Sequence, residues 1–267
     1  MKLCISEATT MSATFAEDVA HFAEAGWRGM EVWLTKLETH LENQSLADTR
    51  KLLSDRGMTL AAASYQGGLL LSQGEQRRAH FDHFKKRLDL CHQLAIPTLV
   101  VAADFAQTPT GTDLERALVS LTQAAQWAQV FEVRLALEFR GKNAFCSSLD
   151  TALALVLQCG EPNVGINLDV FHYYTGPSKF EDLAQLTADR LALVQICDLA
   201  GAPRELANDS DRILPGDGDL LLAPLIRFLQ QIHYDGWISL ELMNPTLWQT
   251  SPALVAEMGL TALRKLV

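Results

Sequence analysis

The chain has 267 residues, 48% hydrophobic and 20% charged, with a formal net charge of −10. That composition excludes a disordered chain, and the length fits one barrel of about 250 residues. The acidic balance argues against a phosphate-binding face, hence against nucleic acid, and offers nothing to an anionic membrane surface.

No stretch approaches the ~20 apolar residues of a membrane span. Met1–Thr10 (MKLCISEATT) reads as a first strand, not a signal peptide. The cysteines Cys4, Cys91, Cys146, Cys159 and Cys197 are odd in number and form no CxxC, as expected of reduced thiols in a cytoplasmic protein.

Short apolar runs then alternate with segments of helical period. A strand over Lys2–Ser6 leads to a helix over Phe15–Ala25, and a strand over Gly29–Trp33 to a helix over Ser45–Arg56. The strand Thr59–Ser64 precedes the helix Gln76–Leu94, and Thr98–Ala102 precedes Asp113–Phe131. Val133–Glu138 leads to Leu149–Cys159, and Val164–Asp169 to Phe180–Ala188. Leu191–Cys197 leads to Leu220–Ile232, and Trp237–Glu241 to a last helix over Pro252–Leu266. Ser45, Thr112 and Ser148 are the expected helix caps. A helix-stopping Gly or Pro precedes several strands, as in EAGWRGMEVW, DRGMTLAAAS and LAIPTLVVA.

Alternation of this kind predicts a parallel sheet with helical crossovers. Eight strand–helix units without a linker predict a single (β/α)8 TIM barrel spanning residues 1–267. No G-x-G-x-x-G in a strand–helix context, no P-loop, no H-E-x-x-H and no G-x-S-x-G occurs, so no nucleotide cofactor has motif support.

Glu138, Asp169, Gln195 and Glu241 sit at or near the ends of the strings VRLALE, VGINLD, LALVQIC and GWISLE. On neighbouring parallel strands their oxygens converge at the C-terminal face, where barrels of this kind carry their sites. Three carboxylates sharing one buried point need a cation, because repulsion and desolvation are otherwise too costly. An all-oxygen donor set suits Mg²⁺ or Mn²⁺ better than Zn²⁺ or Co²⁺. His172, three residues past Asp169, is a candidate hydrogen-bond donor or proton carrier. Arg212, before the LPGDG turn, is a candidate anchor for a substrate hydroxyl or carboxylate, with Arg140 a second. Glu31 at the end of the second strand and Tyr65 after the third are further candidates for the substrate pocket. Trp33, Phe139, Phe171 and Tyr173 are candidate walls.

At these residues the chain resembles the xylose isomerase-like TIM-barrel superfamily, the sugar phosphate isomerase/epimerase group. The likeness is carried by G-x-E-x-W (Gly29–Trp33), LALEF (Leu135–Phe139), NLDVFH (Asn167–His172), VQICD (Val194–Asp198), DRILPGDGDL (Asp211–Leu220) and YDGWISLE (Tyr234–Glu241). It implies one divalent metal on Glu138, Asp169, Gln195 and Glu241, with His172 and Arg212 at the positions of the group's histidine and arginine. Gln195, where several members carry His, is similar to a branch that includes bacterial 3-dehydroshikimate dehydratases. Those enzymes bear an Arg after the third strand. SYQGGLLLSQ has none.

The implied function is metal-dependent isomerisation or epimerisation of a sugar or keto-polyol. Glu138 and Glu241 would move an α-proton through an enediolate, with His172 and Arg212 orienting substrate oxygens. The alternative is a dehydratase of the inosose or 3-dehydroshikimate type, in which the same enediolate expels a hydroxyl. An abasic-site endonuclease is disfavoured by the charge and the lack of a His cluster. A sugar-binding barrel without turnover is the remaining reading. Barrels of this group often pair, which leaves a homodimer open.

Overall fold

The computed structural model describes residues 1–267. Its strands are β1 (Lys2–Ser6), β2 (Gly29–Trp33), β3 (Thr59–Gln66), β4 (Thr98–Ala102), β5 (Arg134–Glu138), β6 (Val164–Asp169), β7 (Leu191–Ile196) and β8 (Trp237–Leu240). They follow one another in chain order around a closed barrel, so the expected (β/α)8 architecture is the one observed. The helices are α1 (Phe15–Ala25), α2 (Leu34–Leu41), α3 (Leu46–Arg56), α4 (Gly74–Gln93), α5 (Gly111–Val130), α6 (Leu149–Cys159), α7 (Val170–Thr175), α8 (Leu222–Gln231) and α9 (Pro252–Leu266).

Two compact units make up the chain. The first is discontinuous, Met1–Ala63 with Val194–Val267; the second is Ser64–Leu193. In the first unit β1 lies between β2 and β8, with Ser6 opposite Glu31 and Cys4 opposite Ser239. Fully buried Ile5, Phe22, Met30 and Val32 fill its core. The Trp27 indole N–H donates to the Ala256 carbonyl at 2.9 Å and ties β2's approach to α9. In the second unit β4, β5 and β6 are buried along nearly their whole length, as strands covered on both faces must be. The register sets Ala102 opposite Glu138 and Glu138 opposite Asn167.

Several boundaries differ from expectation. The cap of α5 is Thr110, not Thr112: its hydroxyl accepts from the Asp113 N–H, and the Asp113 carboxylate accepts from the Thr110 N–H. Ser45 caps α3 as expected, and Gly26 and Gly57 end α1 and α3 in the left-handed conformation. The helix expected over Phe180–Ala188 is two short 3₁₀ turns, Phe180–Gln185 and Ala188–Arg190. Only Leu183 of the first is buried, and the second has no buried residue, too little apolar contact to hold an α-helix. Helices α2 and α7 were not expected.

Candidate active site

In the first unit, β2, β7 and β8 bring Glu31, Gln195 and Glu241 together. Gln195 is opposite Ser239 in the β7–β8 register, two residues before Glu241. Its amide Nε2 donates to Glu31 Oε1 at 2.7 Å and to Glu241 Oε1 at 3.0 Å. All three are buried. Two carboxylates around one amide fix its nitrogen end, so the Gln195 oxygen is the end that can serve as a donor atom to a cation. The Arg212 guanidinium, 1% exposed, donates through Nη1 to Glu241 Oε2 at 3.0 Å. Its Nε and Nη2 donate to Asp209 at 3.1 and 2.6 Å. Arg212 therefore reaches Glu241 directly.

The loop carrying Arg212 is held by Asp198. Its Oδ1 accepts from Leu199 N at 2.9 Å and Leu220 N at 3.0 Å, and its Oδ2 from Gly216 N at 2.9 Å. Asp198 and Ile213 also exchange both backbone hydrogen bonds. A Cβ on Gly218 would collide with the Asp198 carboxylate and stand 2.5 Å from the Leu199 carbonyl. That close approach is the physical reason for glycine in PGDG.

In the second unit, Glu138 ends β5 with both oxygens engaged. Asn167 Nδ2 donates to Oε1 at 3.0 Å, and Arg140 Nε lies 3.4 Å from Oε2. Each glutamate thus has an amide on one oxygen and an arginine on the other. The arginines differ: the Arg140 side chain is 37% exposed and lies over the Tyr65 ring, 5.0 Å from its centroid. Asp104 contributes to the field at Arg140. Burial raises its carboxyl above the usual range, and the Gly68 N–H, Arg140 and His80 oppose the rise.

Asp169 is fully buried and caps α7, its Oδ1 accepting from Phe171 N at 2.8 Å. His172 stands one turn along this helix, with Nε2 3.7 Å from Asp169 Oδ2. Its buried Nδ1 has no hydrogen-bond partner. The backbone around it is close-packed: a Cβ on Gly141 would lie 2.8 Å from Gly176 N and 3.1 Å from the His172 carbonyl. Tyr65 is half-exposed, whereas Phe139, Phe171 and Tyr173 are core residues.

Sequence reasoning left Asn167 and Asp198 without a role. Asn167 is a polar residue in the buried run VGINLD, two positions before Asp169 and so on the same strand face. That position was the available signal. A third group has no sequence signature. Glu7, at the end of β1, accepts from Trp33 N at 2.8 Å and lies 3.8 Å from Lys36 Nζ, which is also paired with Asp18. Burial, then the Asp18 charge, push the Glu7 carboxyl well up. Burial also raises the Asp18 carboxyl, and the Lys36 charge opposes the rise at both acids.

A family model described as xylose isomerase-like TIM barrel matches residues 19–266. The chain is 24% identical to the inosose isomerase of Halalkalibacterium halodurans, over 94% of this chain and 91% of that protein. It is 25% identical to the 3-dehydroshikimate dehydratase of Pseudomonas aeruginosa, over 88% of this chain but 37% of that longer protein. The crystal structure of the IolI protein with a bound zinc atom superposes with a TM-score of 0.94. It has 23% identity, and the match covers 100% of this chain and 98% of that one. With nearly its whole length matched, the chain belongs to the xylose isomerase-like TIM barrel family.

Proposed function

We propose that the protein is a divalent-metal-dependent isomerase or epimerase that moves an α-proton on a sugar or keto-polyol, with an inosose as the first substrate to test. The observation that carries this reading is the matched setting of Glu138 and Glu241, each a buried carboxylate between an amide and an arginine. Such settings hold two carboxyl groups in fixed orientation, as proton transfer requires. Relatives named inosose isomerase over nearly their full length support the same class.

The structure gathers no group of three or more His, Cys, Asp or Glu side chains that could hold a metal ion; the case for a hard cation rests on the chemistry of the donor set. Glu138, Asp169, Glu241 and the Gln195 oxygen would hold it, an all-oxygen set that favours Mg²⁺ or Mn²⁺. The zinc in the IolI crystal structure keeps Zn²⁺ and Co²⁺ among the ions to test. A bound divalent ion supplies Lewis acidity, which polarises a substrate carbonyl and acidifies the adjacent C–H. The chain does the rest. Glu138, as the carboxylate, takes the α-proton, and Glu241, entering the step as the carboxylic acid, delivers its own proton to the intermediate; exchange with solvent restores both. His172, beside Asp169, offers its imidazole to a substrate oxygen. Glu31 fixes the Gln195 amide, Arg212 fixes Glu241 beside the substrate, and half-exposed Tyr65 walls the pocket.

A dehydratase is the second reading, favoured by the relative named 3-dehydroshikimate dehydratase; His172 would then be the group placed to assist a departing hydroxyl. The negative charge gives nucleic acid no footing, and no helix is long and apolar enough to cross a membrane. A cytoplasmic homodimer is the setting we propose.

The test is to strip the protein with a chelator, restore Mg²⁺, Mn²⁺, Co²⁺ or Zn²⁺ singly, and incubate each form with inososes, ketoses and 3-dehydroshikimate in deuterium oxide. Metal-dependent deuterium uptake at an α-carbon is expected, and Glu138→Gln or Glu241→Gln should abolish it. A rise in enone absorbance instead selects the dehydratase. Wild-type exchange in either mutant, or no binding of any of the four ions, refutes the proposal.

A further inference from the structure

We infer that Asn167 is a positioning residue that sets the orientation of the Glu138 carboxylate. This deepens the reading of Glu138 as a proton carrier and rests on it. The terminal torsion of a glutamate is broad and nearly two-fold, so the strand alone does not choose the plane of the carboxylate. A partner has to. Asn167 faces Glu138 directly across the β5–β6 register, and its Nδ2 donates to Oε1 at 3.0 Å. Asn167 is fully buried, so no bulk water competes for that acceptor.

The choice of an amide is chemically informative. A lysine or arginine at this buried position would orient the carboxylate but add a second positive charge to that of Arg140. An aspartate would repel it. A neutral N–H fixes the plane and adds no further charge to the carboxylate's surroundings. The second glutamate has the same device by an independent route: Gln195 Nε2 donates to Glu241 Oε1 from β7. With Oε1 held by Asn167, Oε2 is turned toward Arg140, whose half-exposed side chain holds it only at 3.4 Å. Asn167 is therefore the buried half of the clamp. Misplacing a reacting group by about 1 Å can cost a hundredfold in rate.

The test uses the full chain with Asn167→Leu, which removes the donor at similar volume, and Asn167→Asp, which is isosteric and has no N–H. One readout is the Mn²⁺ dissociation constant, measured from the paramagnetic resonance of free Mn²⁺ without substrate. The other is the steady-state split for deuterium exchange on an inosose. Asn167→Leu should weaken Mn²⁺ binding about tenfold, whereas Asn167→Asp adds a charge that attracts the ion; both should lower kcat by roughly 10- to 100-fold, with KM within about twofold. Partial loss of fold also lowers apparent kcat at unchanged KM, so kcat is taken per Mn²⁺-binding site from the titration stoichiometry, and the isosteric aspartate keeps the test open if the leucine variant does not fold. Wild-type kcat in both variants and wild-type Mn²⁺ affinity in Asn167→Leu, with Glu138→Gln inactive, overturn the role of Asn167 and leave the function standing. Full exchange by Glu138→Gln overturns the function itself, and this inference with it.

Discussion

Replacing Asp198 by alanine should destabilise the protein and release the segment that carries Arg212. The wild-type carboxylate is 1% exposed and accepts from three backbone N–H groups, at Leu199, Gly216 and Leu220. A hydrogen bond to an ionised acceptor contributes about 1.5–3 kcal/mol net. Gly216 is exposed and is rehydrated when its partner goes, whereas Leu199 is buried and is not. The expected loss is therefore about 3–5 kcal/mol, a large share of the 5–15 kcal/mol typical of a folded domain. Asp198→Asn keeps one acceptor oxygen but turns an NH₂ toward a backbone donor, so about 2 kcal/mol is expected. Urea unfolding followed by circular dichroism gives the free energies. Amide hydrogen exchange at Leu199, Gly216 and Leu220 should accelerate together, since one side chain holds all three. An alanine variant within about 1 kcal/mol of wild type, or exchange that changes at one site alone, would refute the reasoning.

Two further outcomes follow from buried contacts. Glu7 has a folded-state pKa raised well above its ordinary 4.5, by burial first and the Asp18 charge second. Its contribution to stability is thus fully present below pH ~4.5 and is lost as pH rises through the raised value. Glu7→Gln retains an acceptor for the Trp33 N–H and has no proton to lose. It should match wild type near pH ~4 and become the more stable form as pH rises, and a pH-independent difference between the two would exclude the mechanism. At Gly259 a Cβ would collide with the Leu240 side chain, so Gly259→Ala should cost about 1–3 kcal/mol by overpacking, read as a lowered midpoint in urea.

The barrel was legible because a strand buried on both faces reads as an unbroken apolar run, and eight such runs alternate with helical segments. Helix α2 was missed because it starts directly at the end of β2, on Trp33, with no capping side chain to mark it. Helix α7 was missed because its cap, Asp169, is also the residue singled out as a ligand. The cap of α5 was displaced by two residues because Asp113 reads as the first helical position when it is the third, bonded back to Thr110. Within the site, the acidic strand ends were readable one by one. The contacts that hold them were not: Asn167 to Glu138 spans 29 positions and Gln195 to Glu31 spans 164, and a single sequence carries no record of such pairing.

The first unit is assembled from chain segments that are made far apart in time. Thr9 is its rivet: its hydroxyl donates to the Leu240 carbonyl at 3.1 Å across 231 positions and accepts from Leu242 N at 3.0 Å. The β1–β8 ladder spans a similar separation, with Lys2 opposite Trp237. The second unit, Ser64–Leu193, is continuous, and its whole sequence precedes β8 in the chain. At about 5–20 residues per second, β1 waits for its partner on the order of ten seconds or more, with one edge unpaired and buried residues such as Cys4 and Ile5 uncovered. Long-range closure of this kind is slow, and an open apolar edge invites pairing with other chains. During synthesis the vulnerable part of this protein is therefore its earliest strand, and the yield of folded protein depends on how well that edge is shielded until Trp237–Leu240 arrives.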